Sequence, residues 1–137
     1  MGFAERARMP AQSATARLLI VDPDPLTVRL LRATLAGEGY DIDSAASGAE
    51  ALQKISISPP EVVLLELALP DMHGMEIVLS LKAAPATRDI VVVVVTRRNG
   101  HEAEAAAIRA GASGYVRKPI DPIAFPDLVG ATRKPDR

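Results

Sequence analysis

The sequence contains no cysteine and no tryptophan, and only two phenylalanines and two tyrosines. Without thiols there is neither a disulfide framework nor a thiolate metal site, a usage that fits a reducing cytoplasm. So few rings leave too few stacking platforms for a single-strand nucleic-acid binder of the usual kind. Neither sign of charge is in excess: 16 basic residues stand against 17 acidic ones. The totals therefore carry no footprint of nucleic acid or a membrane surface, and partners must be argued from local features. There is no internal repeat and no low-complexity tract. The first 16 residues lack the apolar core of a signal peptide and are broken by Pro10.

What is present suits one globular domain, since 48% of 137 residues are hydrophobic and a core of that size can fold alone. Residues 1–16 read as a loose leader, residues 17–131 as the domain, and residues 132–137 as a polar tail or the start of a linker.

The organising stretch runs from Glu61 to Gly74. Val62, Val63, Leu64 and Leu65 are too few for a buried helix and lie between Pro59-Pro60 and Pro70, so they predict a strand buried on both faces with Glu66 at its exit. In an open parallel sheet, ligands gather beyond the carboxyl ends of the strands, which makes a carboxylate there a site candidate. Leu18, Leu19, Ile20 and Val21 form a second such strand, with Asp22 at its exit. Asp24-Pro25 then has the N-cap and first-turn pattern of a helix whose apolar stripe is Leu26, Leu30, Leu31 and Leu35. That place before Pro25 makes Asp24 a cap rather than a metal ligand.

Residues 40–46 alternate weakly and predict a shorter, more exposed strand. Ser47 and Glu50 have capping-box spacing at the start of a helix to about Ile55. Residues 75–82 are helical in propensity. Residues 90–95, five of them valine, predict another buried strand, exiting at Thr96. Asn99 with Glu102 predicts a capped, Ala-rich helix ending at Gly111. Residues 114–117 give a fifth strand exiting at Lys118. The last helix follows Asp121-Pro122, where Pro126 and Gly130 predict a kink or a late start. His73 and His101 read as solvated loop histidines, not a metal pair.

Strands alternating with helices at this spacing predict a doubly wound α/β domain with a five-stranded parallel sheet and helices on both faces. Its strand exits collect Asp22, Glu66, Thr96 and Lys118.

That constellation, with Leu-Leu-Ile-Val-Asp, Val-Val-Leu-Leu-Glu-Leu-Ala-Leu-Pro-Asp-Met-His-Gly, Val-Val-Thr and Ala-Gly-Ala-Ser-Gly-Tyr-Val-Arg-Lys-Pro, resembles the receiver domain of bacterial response regulators over residues 17–129. The resemblance implies the chemotaxis-type, flavodoxin-like fold with strand order 2-1-3-4-5. It further implies an Asp ending the third strand that accepts a phosphoryl group, two acids after the first strand that hold Mg²⁺, a Thr and a Lys that contact phosphoryl oxygens, and an aromatic switch residue. Here Glu66 stands at the phosphoacceptor position and Pro23 replaces one acid of the pair. Asp22 remains as a weak or vestigial metal ligand, with Glu66 a doubtful second one. Thr96 and Lys118 match the phosphoryl pocket, and Thr96 and Tyr115 match the switch.

The leading expectation is therefore a pseudo-receiver of a two-component system, a cytoplasmic, phosphorylation-independent interaction module and not an enzyme. It needs no cofactor, and any Mg²⁺ binding is weak. Its partner is a histidine kinase, an effector domain or another regulator, with no nucleic acid or membrane contact through this domain, and it is a monomer or weak dimer. The alternative is an active phosphorelay receiver phosphorylated on Glu66 with a weak Mg²⁺ site. A distant third is an unrelated flavodoxin-like enzyme or nucleotide binder, which would need backbone amides cradling phosphate after the first strand; Asp22-Pro23-Asp24-Pro25 has no Gly and two residues without N–H donors.

Overall fold

The computed structural model describes residues 15–97 and 100–133. The leader residues 1–14, Asn99 with its expected capping role, and residues 134–137 of the tail lie outside the described residues. Ten elements alternate along the rest: β1 Ala16–Val21, α1 Pro25–Leu35, β2 Tyr40–Ala45, α2 Gly48–Ile57, β3 Val62–Leu65, α3 Gly74–Ala83, β4 Val91–Thr96, α4 His101–Ala110, β5 Gly114–Arg117 and α5 Phe125–Arg133. The strands form one parallel sheet in the order β2-β1-β3-β4-β5. The doubly wound, flavodoxin-like reading is therefore correct. Ala16 is buried in β1 and α5 continues to Arg133, so the folded elements extend one residue before and two residues after the 17–131 bounds.

Side chains on a strand alternate between faces, and here each face meets different helices. Leu19 and Val21 of β1 pack with Val63 and Leu65 of β3 against Ala51 and Ile55 of α2 and Ile77, Val78 and Leu81 of α3. Leu18 and Ile20 pack with Val62 and Leu64 on the opposite face, against Leu31 and Leu35 of α1 and Phe125 and Val129 of α5. A smaller cluster joins Leu67, Val94, Ala107 and Ala112, with Tyr115 and Met75 against it. All four β3 residues are buried, as the unbroken apolar run requires.

Local chemistry sets the helix ends. Asp24 caps α1, its Oδ1 accepting from the Leu26 N–H at 3.0 Å and its Oδ2 from the Thr27 hydroxyl at 3.0 Å, with Pro25 in the first turn. Ser47 Oγ accepts from the Glu50 N–H at 3.1 Å, as the capping box predicts. Glu50 reaches one residue further back, accepting from the Ala46 N–H at 2.8 Å, not from Ser47. The N-cap of α4 is Gly100, which has no side-chain cap bond. Gly111 closes α4 at φ +117°, a left-handed turn that favours glycine.

The last helix starts late, as expected, but shows no break at Pro126. That residue falls in the first turn, where a missing N–H removes no intrahelical bond. Asp121 organises the approach: its Oδ1 accepts from the Ile123 N–H at 3.0 Å and its carbonyl from the Phe125 N–H at 2.9 Å. Phe125 and Val129, four residues apart, then bury one face of the helix.

Candidate functional site

The register of the sheet places the site. Val21 of β1 is paired with Leu65 of β3, so the next residue on each, Asp22 and Glu66, stand side by side at the carboxyl edge. Leu65 is paired with Val94 of β4, which continues to Thr96, and Thr96 is paired with Arg117 of β5, which leads into Lys118. Four strand exits thus deliver Asp22, Glu66, Thr96 and Lys118 to one place. The Lys118 N–H donates to the Thr96 carbonyl at 2.9 Å, fixing where the lysine leaves the sheet. The Lys118–Pro119 peptide bond is cis.

Polar groups in this cluster are buried: Asp22 is 3% exposed, Glu66 7% and Thr96 1%. Lys118 Nζ donates to Asp22 Oδ2 at 2.7 Å and to Glu66 Oε1 at 2.6 Å. Glu66 Oε2 accepts from the Thr96 hydroxyl at 2.6 Å and from the Ala68 N–H at 2.9 Å. Asp22 Oδ1 accepts from the Asp24 N–H at 2.9 Å. Burial works against the charge on Glu66, but the Ala68 N–H, the Lys118 ammonium and the Thr96 hydroxyl outweigh it and hold the carboxyl below its ordinary range. Burial also opposes the charge on Lys118, and the Asp22 and Glu66 carboxylates reverse that, raising its pKa. The short contacts from Lys118 to both carboxyl groups and from Thr96 to Glu66 bind the cluster into one network.

Mg²⁺ takes near-octahedral oxygen coordination, usually one or two carboxylates with waters. Here both oxygens of Asp22 and both of Glu66 accept hydrogen bonds, Asp24 turns both of its oxygens to the start of α1, and Pro23 has no side-chain oxygen. Among these groups only Asp22 and Glu66 could offer carboxylate oxygens to a divalent ion, and the Lys118 ammonium already occupies one oxygen of each. Among the described residues, no group of three or more His, Asp or Glu is placed to hold a metal.

The remaining sequence candidates fall outside this cluster. Tyr115 is partly buried on β5 against the small Leu67–Val94 cluster. It borders a cavity of about 150 Å³ shared with Gly100, His101, Glu104 and Arg117. His101 begins α4 and is exposed. His73 is exposed too, but its Nδ1 accepts from the Met75 N–H at 3.1 Å, so it caps α3.

Two supports escaped the sequence reading. Asp71, in the loop after β3, accepts from the Gly48 and Ala49 N–H groups, both at 2.9 Å, at the start of α2. Those amides are the orphan donors of a helix N-terminus, and they hold the Asp71 carboxyl below its ordinary pKa. Its only sequence signal is an acid between Pro70 and Gly74. Gly74 is required by close approach: a Cβ there would lie 2.7 Å from the Glu66 carbonyl oxygen and 2.8 Å from Leu67 Cα. No helix among the described residues is long and apolar enough to cross a membrane.

Comparison with known proteins agrees with this geometry. The family model for the response regulator receiver domain matches residues 18–129. The response regulator PleD of Caulobacter vibrioides is 37% identical over 109 residues, covering 80% of this chain and 24% of PleD. The transcriptional regulatory protein KdpE of Mycobacterium tuberculosis is 37% identical over 106 residues, covering 75% of this chain and 44% of KdpE. The chain therefore spans less than half the length of these relatives. The crystal structure of a CheY-like response regulator receiver domain protein from Methanospirillum hungatei superposes with a TM-score of 0.78 at 29% identity, covering 87% of this chain and 94% of that one. With the sheet order, the four strand exits and the family match in agreement, this chain belongs to the response regulator receiver domains of two-component systems.

Proposed function

We propose that this receiver is a phosphorylation-independent interaction module, in which Glu66 supplies in permanent form part of what a phosphoryl group would supply transiently. Receiver domains work between histidine kinases and effector domains, and the reading here is that the exchange runs through protein contacts alone. The observation that carries it is the engagement of the Glu66 carboxylate by the Thr96 hydroxyl and the Lys118 ammonium, both at 2.6 Å. These are the hydroxyl and the cation that the family resemblance assigns to phosphoryl oxygens.

Two further features support the reading. In-line attack on a phosphodonor needs a free, aimed carboxylate oxygen, and each Glu66 oxygen already accepts from at least one donor. A metal to neutralise the incoming phosphoryl group would meet the Lys118 ammonium already on one oxygen of each carboxylate. The mimic is partial, since one carboxylate brings one negative charge where a phosphoryl group brings nearly two. The chain then acts in the cytoplasm as a monomer or weak dimer, without catalytic turnover, and its partner is a kinase, an effector domain or another regulator.

Incubation with Mg²⁺ and a small phosphodonor, followed by intact mass, tests this directly. The expected result is no phosphoryl adduct. A stoichiometric adduct mapped to Glu66 would establish an active phosphorelay receiver instead.

A further inference from the structure

We propose that the Lys118 ammonium is the resident cation of this pocket: it neutralises Asp22 and Glu66 in place of a divalent ion, excludes such ions from the native chain, and its removal leaves a metal site. The inference concerns which cation neutralises the site, so it stands whether or not partner binding depends on Glu66.

Three observations carry it. The first is position. Asp22 and Glu66 follow directly paired residues on adjacent parallel strands, so their carboxylates are neighbours by construction and repel one another unless a cation lies between them. Lys118 Nζ takes that place, 2.7 Å from one carboxylate and 2.6 Å from the other. The second is burial. The Lys118 side chain is only 9% exposed, against 3% and 8% for its partners, so the ammonium has little water to retreat to. A divalent ion entering between the carboxylates would have to expel a buried cation from both of its partners. The third is the length of Glu66. Its carboxylate reaches Lys118 and Thr96 together, while Asp22 is kept from swinging away by the Asp24 N–H on its Oδ1.

Without the ammonium, Asp22 Oδ2 and Glu66 Oε1 would lose their strongest donor. Two hard, negatively charged oxygens on adjacent strands would then face one space, with water to complete a coordination shell. A unit positive charge about 4 Å from a divalent ion is repulsive enough, even at the dielectric of water, to lower affinity by at least tenfold.

The test uses Mn²⁺ alone as the probe on the full chain, read by paramagnetic broadening of backbone amide signals, with circular dichroism as the check on folding. In the native protein no saturable broadening centred on residues 22–24 and 66–68 is expected. In Lys118→Gln and Lys118→Met, broadening should centre there, with an apparent affinity at least tenfold higher. Adding Asp22→Asn to Lys118→Gln should abolish the gain. Saturable Mn²⁺ binding by the native chain at these amides, or folded Lys118 variants that bind no better than native, would overturn the proposal. If the variants do not fold alone, Mn²⁺ must restore the native circular dichroism spectrum, and failure to do so overturns it as well.

Discussion

Glu66→Gln keeps the volume of the side chain and removes its charge, and the hydrogen-bond pattern fixes what that does. Glu66 Oε1 faces an ammonium donor, and Oε2 faces a hydroxyl and an N–H donor. An amide has only one acceptor oxygen. If that oxygen serves Thr96 and Ala68, the NH₂ group points at the Lys118 ammonium; if it serves Lys118, the NH₂ group points at the Ala68 N–H. One donor clash is unavoidable in either orientation. Opposite charges about 4 Å apart attract by about 4 kcal/mol at an effective dielectric of 20. Lys118 keeps Asp22 as a partner, so only part of that is lost, and a buried unsatisfied donor adds about 1–3 kcal/mol. The expected net destabilisation is about 2–4 kcal/mol, measured by urea unfolding at pH 7, with a Tm lower by roughly 8–15 °C for a domain of this size.

The pH dependence sharpens the test. The Glu66 carboxyl is held below its unfolded value, so its contribution is present in full above the ordinary glutamate pKa and is lost as pH falls through the lower, folded value. The Lys118 pKa is raised, so its contribution is complete below the ordinary lysine value and is lost as pH rises through the higher, folded one. Glu66→Gln should therefore flatten the acid limb of the stability profile and lower its plateau at neutral pH. If the Glu66 charge also biases a signalling conformation by about 1–2 kcal/mol, partner affinity should fall about 5- to 30-fold. The Tyr115 ring, on the strand that leads to Lys118, should become more mobile by NMR relaxation. A loss of stability under about 0.5 kcal/mol, within the range of ordinary surface substitutions, with Tyr115 relaxation unchanged, would falsify the account of Glu66 as a structural and signalling anchor.

Further outcomes are expected. Glu66→Asp alone should leave the chain inert to a small phosphodonor, because Pro23 still withholds a carboxylate, whereas Glu66→Asp with Pro23→Asp should recover an adduct by intact mass; recovery by the single change would show that Asp22 and water already suffice. Gly74→Ala puts a Cβ 2.7 Å from the Glu66 carbonyl oxygen, against backbone that cannot swing aside, and should cost about 1–3 kcal/mol and shift the Glu66–Ala68 amide signals; an unperturbed spectrum would show that the loop yields freely. With a last helix that begins only at Phe125, the chain should scatter as a monomer or weak dimer, and a stable symmetric dimer through α4, β5 and α5 would contradict that.

The strands and the residues at their exits were legible because both rest on local patterns, whereas the strand order came only with the family resemblance. Short apolar runs ending in Asp22, Glu66 and Thr96 mark buried parallel strands and their exits, and the half-buried segment 114–117 delivers Lys118. The tie from Lys118 to Asp22 was not legible. That Lys118 bridges two carboxylates depends on rotamers and on the reach of a glutamate, which spacing along the chain does not encode. Asp71 escaped because its partners at Gly48 and Ala49 lie 23 and 22 residues away. Of the two outcomes Pro126 allows, the late start is realised and not the kink, because the residue that breaks a helix interior is harmless in a first turn and only the end of the preceding loop decides which it is. Glu50 likewise has capping-box spacing, yet its carboxylate found the amide one residue beyond the expected one.

β5 is a four-residue strand at the margin of the sheet, hydrogen-bonded on one side only to β4. Strands of that kind open first when a native protein fluctuates, since few backbone bonds hold them. Lys118 changes that order of events. It leaves the end of β5 and, passing over β4, ties to residues at the ends of β3 and β1. Peeling β5 from β4 then also separates an ammonium from two buried carboxylates, so the margin cannot lift without disturbing the centre. Amide exchange at Tyr115, Val116 and Arg117 should consequently track that of the β1 and β3 ends rather than that of a free edge, and slacken to edge-like rates once the lysine is neutralised.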